Sequence, residues 1–129
     1  MTSRVGRLQR RPDFLRVAAA RRKFAAPGLV LQAAPGLAGD TVDLRVGFTA
    51  SRKVGGAVVR NRVRRRLRAV AAELLPGHAK PGMDYVLIGR QASLTRPYLA
   101  LKADLEAALR RLGAWQGQAE DAASGRTTI

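Results

Sequence analysis

The chain of 129 residues contains no cysteine. That absence excludes a disulfide framework, a thiolate metal site and a cysteine nucleophile. Histidine occurs once, at His78 in a loop rich in proline and glycine, where a bystander is a commoner role than a general base. The nine acidic residues are scattered, and no pair of them stands in a pattern typical of metal-assisted hydrolysis. The sequence therefore predicts no catalytic residue and no metal site in the protein itself.

Long apolar segments are also missing. No run approaches the roughly 20 residues that cross a bilayer. The first residues, MTSRVGRLQRRPDF, lack the apolar core of a secretory signal. These absences predict a soluble, cytoplasmic protein that has no membrane partner.

Negative charge is scarce. Lysine and arginine number 24 against nine acidic residues, which gives a formal net charge of +15. Such an imbalance produces self-repulsion in the folded state, so we expect a partner that offsets it. A nucleic acid is the obvious polyanion, because each neutralised phosphate releases condensed counterions. The alternative is a basic surface that serves solubility alone.

Hydrophobic periodicity predicts a single α+β domain with helices over one sheet. The segment RPDFLRVAAAR is typical of a short helix, and LVLQAA of a strand. In TVDLRVGFTA, apolar and polar residues alternate as in a half-buried strand, whereas MDYVLIG is continuously apolar, as in a strand covered on both faces. A last helix opens near Thr95 and Pro97, so the predicted order is α-β-β-α-β-α.

The segment VVRNRVRRRLRAV, residues 58–70, carries six arginines on a helical pattern. On a helical wheel of residues 58–75, one face is apolar: Val59, Val63, Leu67, Val70 and Leu74. The opposite arc is polar: Arg60, Asn61, Arg64, Arg65 and Arg68, with Arg62 and Arg66 at its margin. Each like-charged i,i+4 pair costs about 0.2–0.5 kcal/mol in an isolated helix. Guanidinium groups that bind phosphates would offset that cost, so this face is predicted to bind nucleic acid.

A longer run then carries a resemblance to a known family. The segment RVGFTASRKVGGAVVRNRVRRRLRAVAAELL, followed by DYVLIGR, resembles the protein subunit of bacterial ribonuclease P. The resemblance spans roughly residues 7–112. It implies an αβββαβα domain at 1–112 with a mostly four-stranded sheet, so one predicted loop should hold a further strand. It also implies a left-handed βαβ crossover, an exception to the usual hand. We expect residues 1–8 to be frayed and residues 113–129 to form a disordered tail.

The resemblance further implies a role in an RNA enzyme. In that family a catalytic RNA removes the 5′ leader from precursor tRNA with Mg²⁺, and the protein binds both the leader and the catalytic RNA. The expected complex holds one protein monomer per RNA. The residues expected to bind the catalytic RNA are Arg52, Lys53, Arg60, Asn61, Arg62, Arg64, Arg65 and Arg68. Those expected to line a cleft for the leader are Phe14, Arg45 and Thr49.

The sequence departs from the family pattern at three positions. Ala18 stands where the first helix often has a second aromatic residue, and Gln32 stands where the first strand often has a tyrosine. Stacking on the leader is therefore expected to be weaker or more electrostatic here. Arg52 replaces a usual lysine and keeps the charge.

Several other functions were weighed against this one. A ribosomal or ribosome-assembly protein would bind RNA by the same physics. A DNA-binding protein is disfavoured, since no helix-turn-helix pattern is present and the arginines spread over a wide arc. A protein-only nuclease lacks its acidic cluster. A basic amphipathic helix can also bind membranes or calmodulin-like partners, but this one has no Trp or Phe anchor.

Overall fold

The computed structural model describes residues 4–37 and 42–117. The strands in these ranges are β1 (Val5–Arg7), β2 (Arg22–Ala25), β3 (Leu29–Pro35), β4 (Leu44–Ala50) and β5 (Met83–Gly89). The helices are α1 (Arg11–Ala19), α2 (Ala57–His78), α3 (Ala92–Thr95) and α4 (Tyr98–Arg111). The predicted αβββαβα order is confirmed, with β1 and the short α3 as additions.

The strands form one mixed sheet in the order β1-β4-β5-β3-β2. Strand β4 pairs in parallel with β1 and with β5, whereas β3 pairs antiparallel with β5 and β2. The arginine helix α2 connects β4 to its parallel neighbour β5, which is the βαβ unit that the family resemblance implies. The left-handed sense of this crossover stays a prediction.

Helices α2 and α4 cover one face of the sheet, and most of the core lies there. The alternation in β4 sends Leu44 and Val46 into this core, as predicted. In the central strand β5, six of the seven residues are buried, which confirms a strand covered on both faces. Its Tyr85 is fully buried and donates its hydroxyl to the Lys80 carbonyl at 2.7 Å. Burial raises the pKa of Tyr85, so this donor keeps its proton.

The opposite face of the sheet is covered by α1, which is nine residues long. The buried residues between them are few: Leu8, Val17, Ala34 and Val86. Phe14 and Ile88 pack against this small cluster and stay partly exposed. The sheet therefore has one thickly covered face and one face that a short helix covers in part.

The prediction of a frayed start was wrong from Val5 onward. Residues Val5–Arg7 form the edge strand β1, in register with Leu44, Arg45 and Val46 of β4. Leu8, which follows, is 3% exposed and donates its amide to the Val46 carbonyl at 3.0 Å. A three-residue strand is too short to show a periodicity, so only the pairing reveals it. With β2 as the further strand, the sheet has five strands rather than mostly four.

The start of the predicted disordered tail is also ordered. Ala114 is 1% exposed, and its amide donates to the Leu109 carbonyl at 2.8 Å. The Trp115 ring stacks on the His78 ring at 4.5 Å between centroids, and Trp115 forms a β-bridge with Ala79. These contacts close the last helix onto the end of α2, where Pro76 and Gly77 break the helical geometry. Residues 118–129 of the predicted tail lie outside the described residues.

Candidate RNA-binding surfaces

Helix α2 presents its arginines outward because its opposite face is buried in the core. Val63, Leu67 and Val70 are each 0% exposed. Their spacing of three and four residues places them on one side of the helix, against the sheet. The orientation predicted from the helical wheel is therefore confirmed.

The predicted RNA-binding residues lie together at the start of α2 and in the turn before it. Six are exposed: Arg52, Lys53, Asn61, Arg62, Arg65 and Arg68. Arg60 and Arg64 are partly buried, and Arg64 donates to the Asn61 side-chain oxygen. Among the residues that the structure describes, none of the seven cations in this set is ion-paired with a carboxylate. We call these eight residues the arginine face.

The one acidic residue on α2 does not neutralise the arginine face. Glu73 lies toward the end of the helix, where its carboxylate accepts hydrogen bonds from Tyr98 and from Lys102, both on α4. The hydrogen bond from Tyr98 lowers the pKa of Glu73. This carboxylate is thus used between two helices, and the positive potential at the start of α2 is left for an external anion.

The turn before α2 brings Arg52 and Lys53 close to the first turn of the helix. Amide-to-carbonyl bonds from Val54 to Ser51 (3.0 Å) and from Gly55 to Arg52 (3.2 Å) tighten it. Gly55 has a φ of 153°, and a Cβ at that position would lie 2.9 Å from the Val59 side chain. Glycine is therefore required for this close approach. The two cations are held beside the amide groups of the helix start, which also favour anions.

Arg66 is the arginine of α2 that serves the fold. Its guanidinium donates to the carbonyls of Ser93 (2.6 Å), Leu94 (3.1 Å) and Arg96 (2.6 Å). These carbonyls end the short helix α3 and have no partners within it. The wheel placed Arg66 at the margin of the charged arc, but a partner so distant in sequence could not be inferred.

The second predicted surface lies between α1 and the sheet. The Phe14 ring rests on Gly47 of β4, where an added Cβ would lie 2.5 Å from Phe14 Cε1. Thr49, two residues along the same strand, lies on the same face and is partly exposed. Ile88 stands beside Thr49 in register and is partly exposed as well. We call this partly covered surface the α1 cleft.

The two positions that depart from the family pattern lie near this cleft. Ala18 follows Phe14 by four residues on α1, which is one helical turn, and it is exposed. Gln32 lies in β3 opposite Val86 and is partly buried. Neither position adds an aromatic surface to the cleft, so Phe14 is the aromatic residue that α1 contributes.

Arg45 differs from the predicted role because an acid occupies its guanidinium. Its Nε and Nη2 donate to the two carboxylate oxygens of Asp84, at 3.0 and 2.8 Å. Asp84 is 1% exposed, and it also accepts a hydrogen bond from Arg16 of α1. Arg16 in turn donates to the Pro35 carbonyl at 2.8 Å. Arg45 thus helps to bind α1 to the sheet, and its contact with a leader stays a prediction.

Sequence reasoning missed Asp84, although a signal was present. Asp84 is the acidic residue within the apolar segment MDYVLIG. A carboxylate in a buried strand needs cations close by, because an unpaired buried charge is costly. The sequence therefore called for basic partners, but it did not say that they would come from α1 and β4.

We predict that Asp84→Asn loosens α1. The asparagine keeps the shape of the side chain and removes the charge from two charge-assisted hydrogen bonds. The expected loss in the free energy of unfolding is about 1.5–3 kcal/mol, seen as a lower melting temperature. Glu106→Gln is the matched control, since it removes the exposed ion pair with Arg110, which is worth at most about 1 kcal/mol. Equal melting temperatures for the two variants would contradict the role given to Asp84.

The described residues offer anion-binding groups but no metal ligands in a set. Within residues 4–37 and 42–117, no three His, Asp or Glu side chains are grouped so that they could hold a metal ion. No helix in the described part of the chain has the length and apolar character needed to span a membrane. No step that depends on a metal is therefore derived from these side chains.

Comparison with known proteins agrees with the family resemblance. The family model described as Ribonuclease P matches residues 2–113. The ribonuclease P protein component of Paramagnetospirillum magneticum is 57% identical, over 96% of this chain and 98% of the relative. That of Ruegeria pomeroyi is 48% identical, over 88% of this chain and 90% of the relative.

A solved structure has the same fold. The RNase P protein of Staphylococcus aureus superposes with a TM-score of 0.70 at 24% identity, over 85% of this chain and 97% of that one. The match of the family model and the identity to the two relatives extend over nearly the whole described chain, including both candidate surfaces. The chain belongs to the ribonuclease P protein family.

Proposed function

We propose that this protein binds two RNA partners through two separate surfaces. It is a subunit of ribonuclease P, an endoribonuclease that processes tRNA. In our proposal the arginine face binds the catalytic RNA, and the α1 cleft receives the single-stranded 5′ leader of precursor tRNA. One protein monomer binds one RNA in the cytoplasm.

The observation that carries the proposal is the group of seven cations without carboxylate partners, among the described residues, at the start of α2. Such a group costs stability in the free protein, and phosphates that bind it recover that cost. Arginine forks bind phosphate through paired hydrogen bonds. Asn61 adds a donor and an acceptor for a base edge or a ribose.

The α1 cleft supports a different mode of binding. A partly exposed aromatic ring offers a stacking surface for a base of any identity, which suits a leader of variable sequence. Thr49 offers a hydroxyl for a hydrogen bond on the same face of the sheet. Arg16 and Arg45, although paired with Asp84, keep part of their side chains exposed (29% and 18%) and add positive potential.

In this division of roles the protein binds and positions, and the RNA carries out the cleavage. Mg²⁺ held by the RNA supplies the metal chemistry. The protein lowers the repulsion between two RNA chains and holds the leader near the catalytic RNA. A ribosomal or assembly function is not favoured, because the family match and the relatives point to ribonuclease P.

Reconstitution tests this proposal directly. The full chain is added to a bacterial ribonuclease P RNA and a precursor tRNA at a Mg²⁺ concentration too low for the RNA alone. Cleavage of the 5′ leader should be restored, since the cations replace part of the charge neutralisation that Mg²⁺ provides. An RNA-binding protein from another complex would leave the cleavage rate unchanged, and that result would overturn the proposal.

We predict that Phe14→Ala weakens binding of precursor tRNA selectively. Loss of one stacked base costs about 1–3 kcal/mol of affinity. Mature tRNA has no leader, so its affinity for the reconstituted complex should barely change. Binding of both ligands is measured beside the melting temperature, with Leu15→Ala as the matched control. Leu15 is the neighbouring residue on α1 and is 55% exposed, away from the packed side of the helix.

The reverse change gives an independent test of the α1 cleft. Ala18→Phe places a second ring one turn after Phe14, where the structure leaves the position exposed. We expect it to tighten binding of precursor tRNA and to leave mature tRNA unaffected. If both variants changed the two affinities equally, Phe14 would serve packing alone and the cleft would be wrongly placed.

A further inference from the structure

We propose that a cavity between β1, β4 and α2 binds the base of an unpaired nucleotide of the catalytic RNA. The inference rests on the proposed function, since it adds base recognition to a protein that binds this RNA. The cavity has a volume of about 250 Å³ and lies at the β1 edge of the sheet, on the same side as α2. Its walls are mostly apolar: Val5, Val46, Phe48, Ala71 and Leu75.

Two arginines stand at this cavity and contact the same aromatic ring. The Arg7 guanidinium carbon lies 5.5 Å from the centre of the Phe48 ring, and that of Arg68 lies 5.7 Å from it. Arg7 comes from β1 and Arg68 from α2, so the two cations approach Phe48 from different elements. Among the described residues, neither arginine is ion-paired with a carboxylate. The cavity thus combines an apolar, aromatic interior with two cations.

Phe48 is more exposed than its place in the sheet requires. It alternates with Arg45, Gly47 and Thr49, which puts it on the covered face, yet the structure leaves it partly exposed. The small side chains of Ala71 and Ala72 on α2 leave the room in front of it. A partly open aromatic ring beside unpaired guanidinium groups is typical of a surface on which RNA bases stack.

Size and charge together favour a single nucleotide over other ligands. The volume is below the range of about 300–1,000 Å³ that is usual for drug-sized ligands, and it suits one flat ring. The two arginines would bind the phosphates on either side of that ring. Arg68 belongs to both the cavity and the arginine face, so an RNA chain lying on α2 would reach the cavity directly.

Nucleotide binding to the free protein tests the cavity without the catalytic RNA. The full chain is titrated with adenosine and uridine 5′-monophosphates while the resonances of the Phe48 ring and the Val46 and Leu75 methyl groups are followed by NMR. Ribose 5-phosphate is the matched probe, because it has the same phosphate and no base. We expect saturable shifts and an affinity about fivefold or more above that of ribose 5-phosphate, which corresponds to about 1 kcal/mol of stacking.

A variant that fills the cavity makes the test specific. Ala72→Phe should abolish the shifts caused by nucleotides, whereas Ala69→Phe, on an exposed position of the same helix outside the cavity, should not. Ala72→Phe should also reduce affinity for the catalytic RNA with little change in the salt dependence of binding, because it removes a base contact and no cation. Both variants are checked for an unchanged melting temperature.

The opposing outcomes are separate from those that test the proposed function. Equal affinities for nucleotides and ribose 5-phosphate would mean that surface arginines bind phosphate alone, and the cavity proposal would be overturned. Tighter binding of N-acetylphenylalanine than of either nucleotide would indicate a peptide-type ligand and would overturn it too. In either case the restored leader cleavage would still stand. A failure of that cleavage would overturn the proposed function, whatever the nucleotides do.

Discussion

Replacing Arg60, Arg64 and Arg68 together by alanine should weaken binding of the catalytic RNA and flatten its dependence on salt. Each phosphate contact contributes about 0.7–0.9 to the slope of log affinity against log salt concentration. Three lost contacts should lower that slope by about 2–3. The measurement is the affinity of the triple variant and of the unchanged protein for ribonuclease P RNA at several salt concentrations.

The triple variant should keep its fold. The three side chains lie on the side of α2 away from Val63 and Leu67, so no core contact is lost. The Arg60 Nε is buried without a hydrogen-bond partner in the described structure, so its removal strands no acceptor. Two like-charged i,i+4 pairs disappear, which should stabilise the helix by a few tenths of a kcal/mol each. An unchanged or slightly higher melting temperature is the expected result.

A second triple variant separates position from net charge. Lys102, Arg110 and Arg111 lie on α4, and their replacement by alanine also removes three positive charges. Lys102 and Arg110 pair with Glu73 and Glu106, so these cations already have partial neutralisation. We expect a much smaller change in the salt slope from this control. The arginine face would be refuted if the two triple variants had the same slope.

The arginine helix and the central strand could be predicted because their patterns are long. In α2 the buried positions Val63, Leu67 and Val70 recur at helical spacing over several turns, which fixes the direction of the charged face. In MDYVLIG, seven residues without a break in apolar character are typical of a central strand. Patterns of this length outweigh local propensity.

Contacts between distant residues could not be predicted in the same way. The three residues of β1 are too few for a pattern, and their pairing with β4 depends on the whole fold. Arg45 and Arg66 look like other basic residues of this chain, yet one binds Asp84 and the other binds the end of α3. Composition predicts that cations will bind anions. The tertiary structure decides which cations bind within the protein and which are left for RNA.

Replacing Leu67 by aspartate should unfold the protein rather than change one RNA contact. Leu67 is 0% exposed and lies in the core between α2 and the sheet. The aspartate would place a charge there without a designed partner and would leave unfilled volume, and each effect costs free energy. We expect a loss above about 3 kcal/mol in the free energy of unfolding, which in a domain of this size lowers the melting temperature by about 12 °C or more.

The matched control is Ala69→Asp, two residues further along the same helix. Ala69 is exposed, so its aspartate stays in water and adds a negative charge among arginines. Its unfolding free energy should stay within about 0.5 kcal/mol of the unchanged protein, as for other surface substitutions. Thermal unfolding followed by circular dichroism compares the two variants. If Leu67→Asp kept its spectrum and melting temperature while Ala69→Asp lost them, α2 would be rotated from its assigned orientation. The arginines would then face the sheet rather than the RNA.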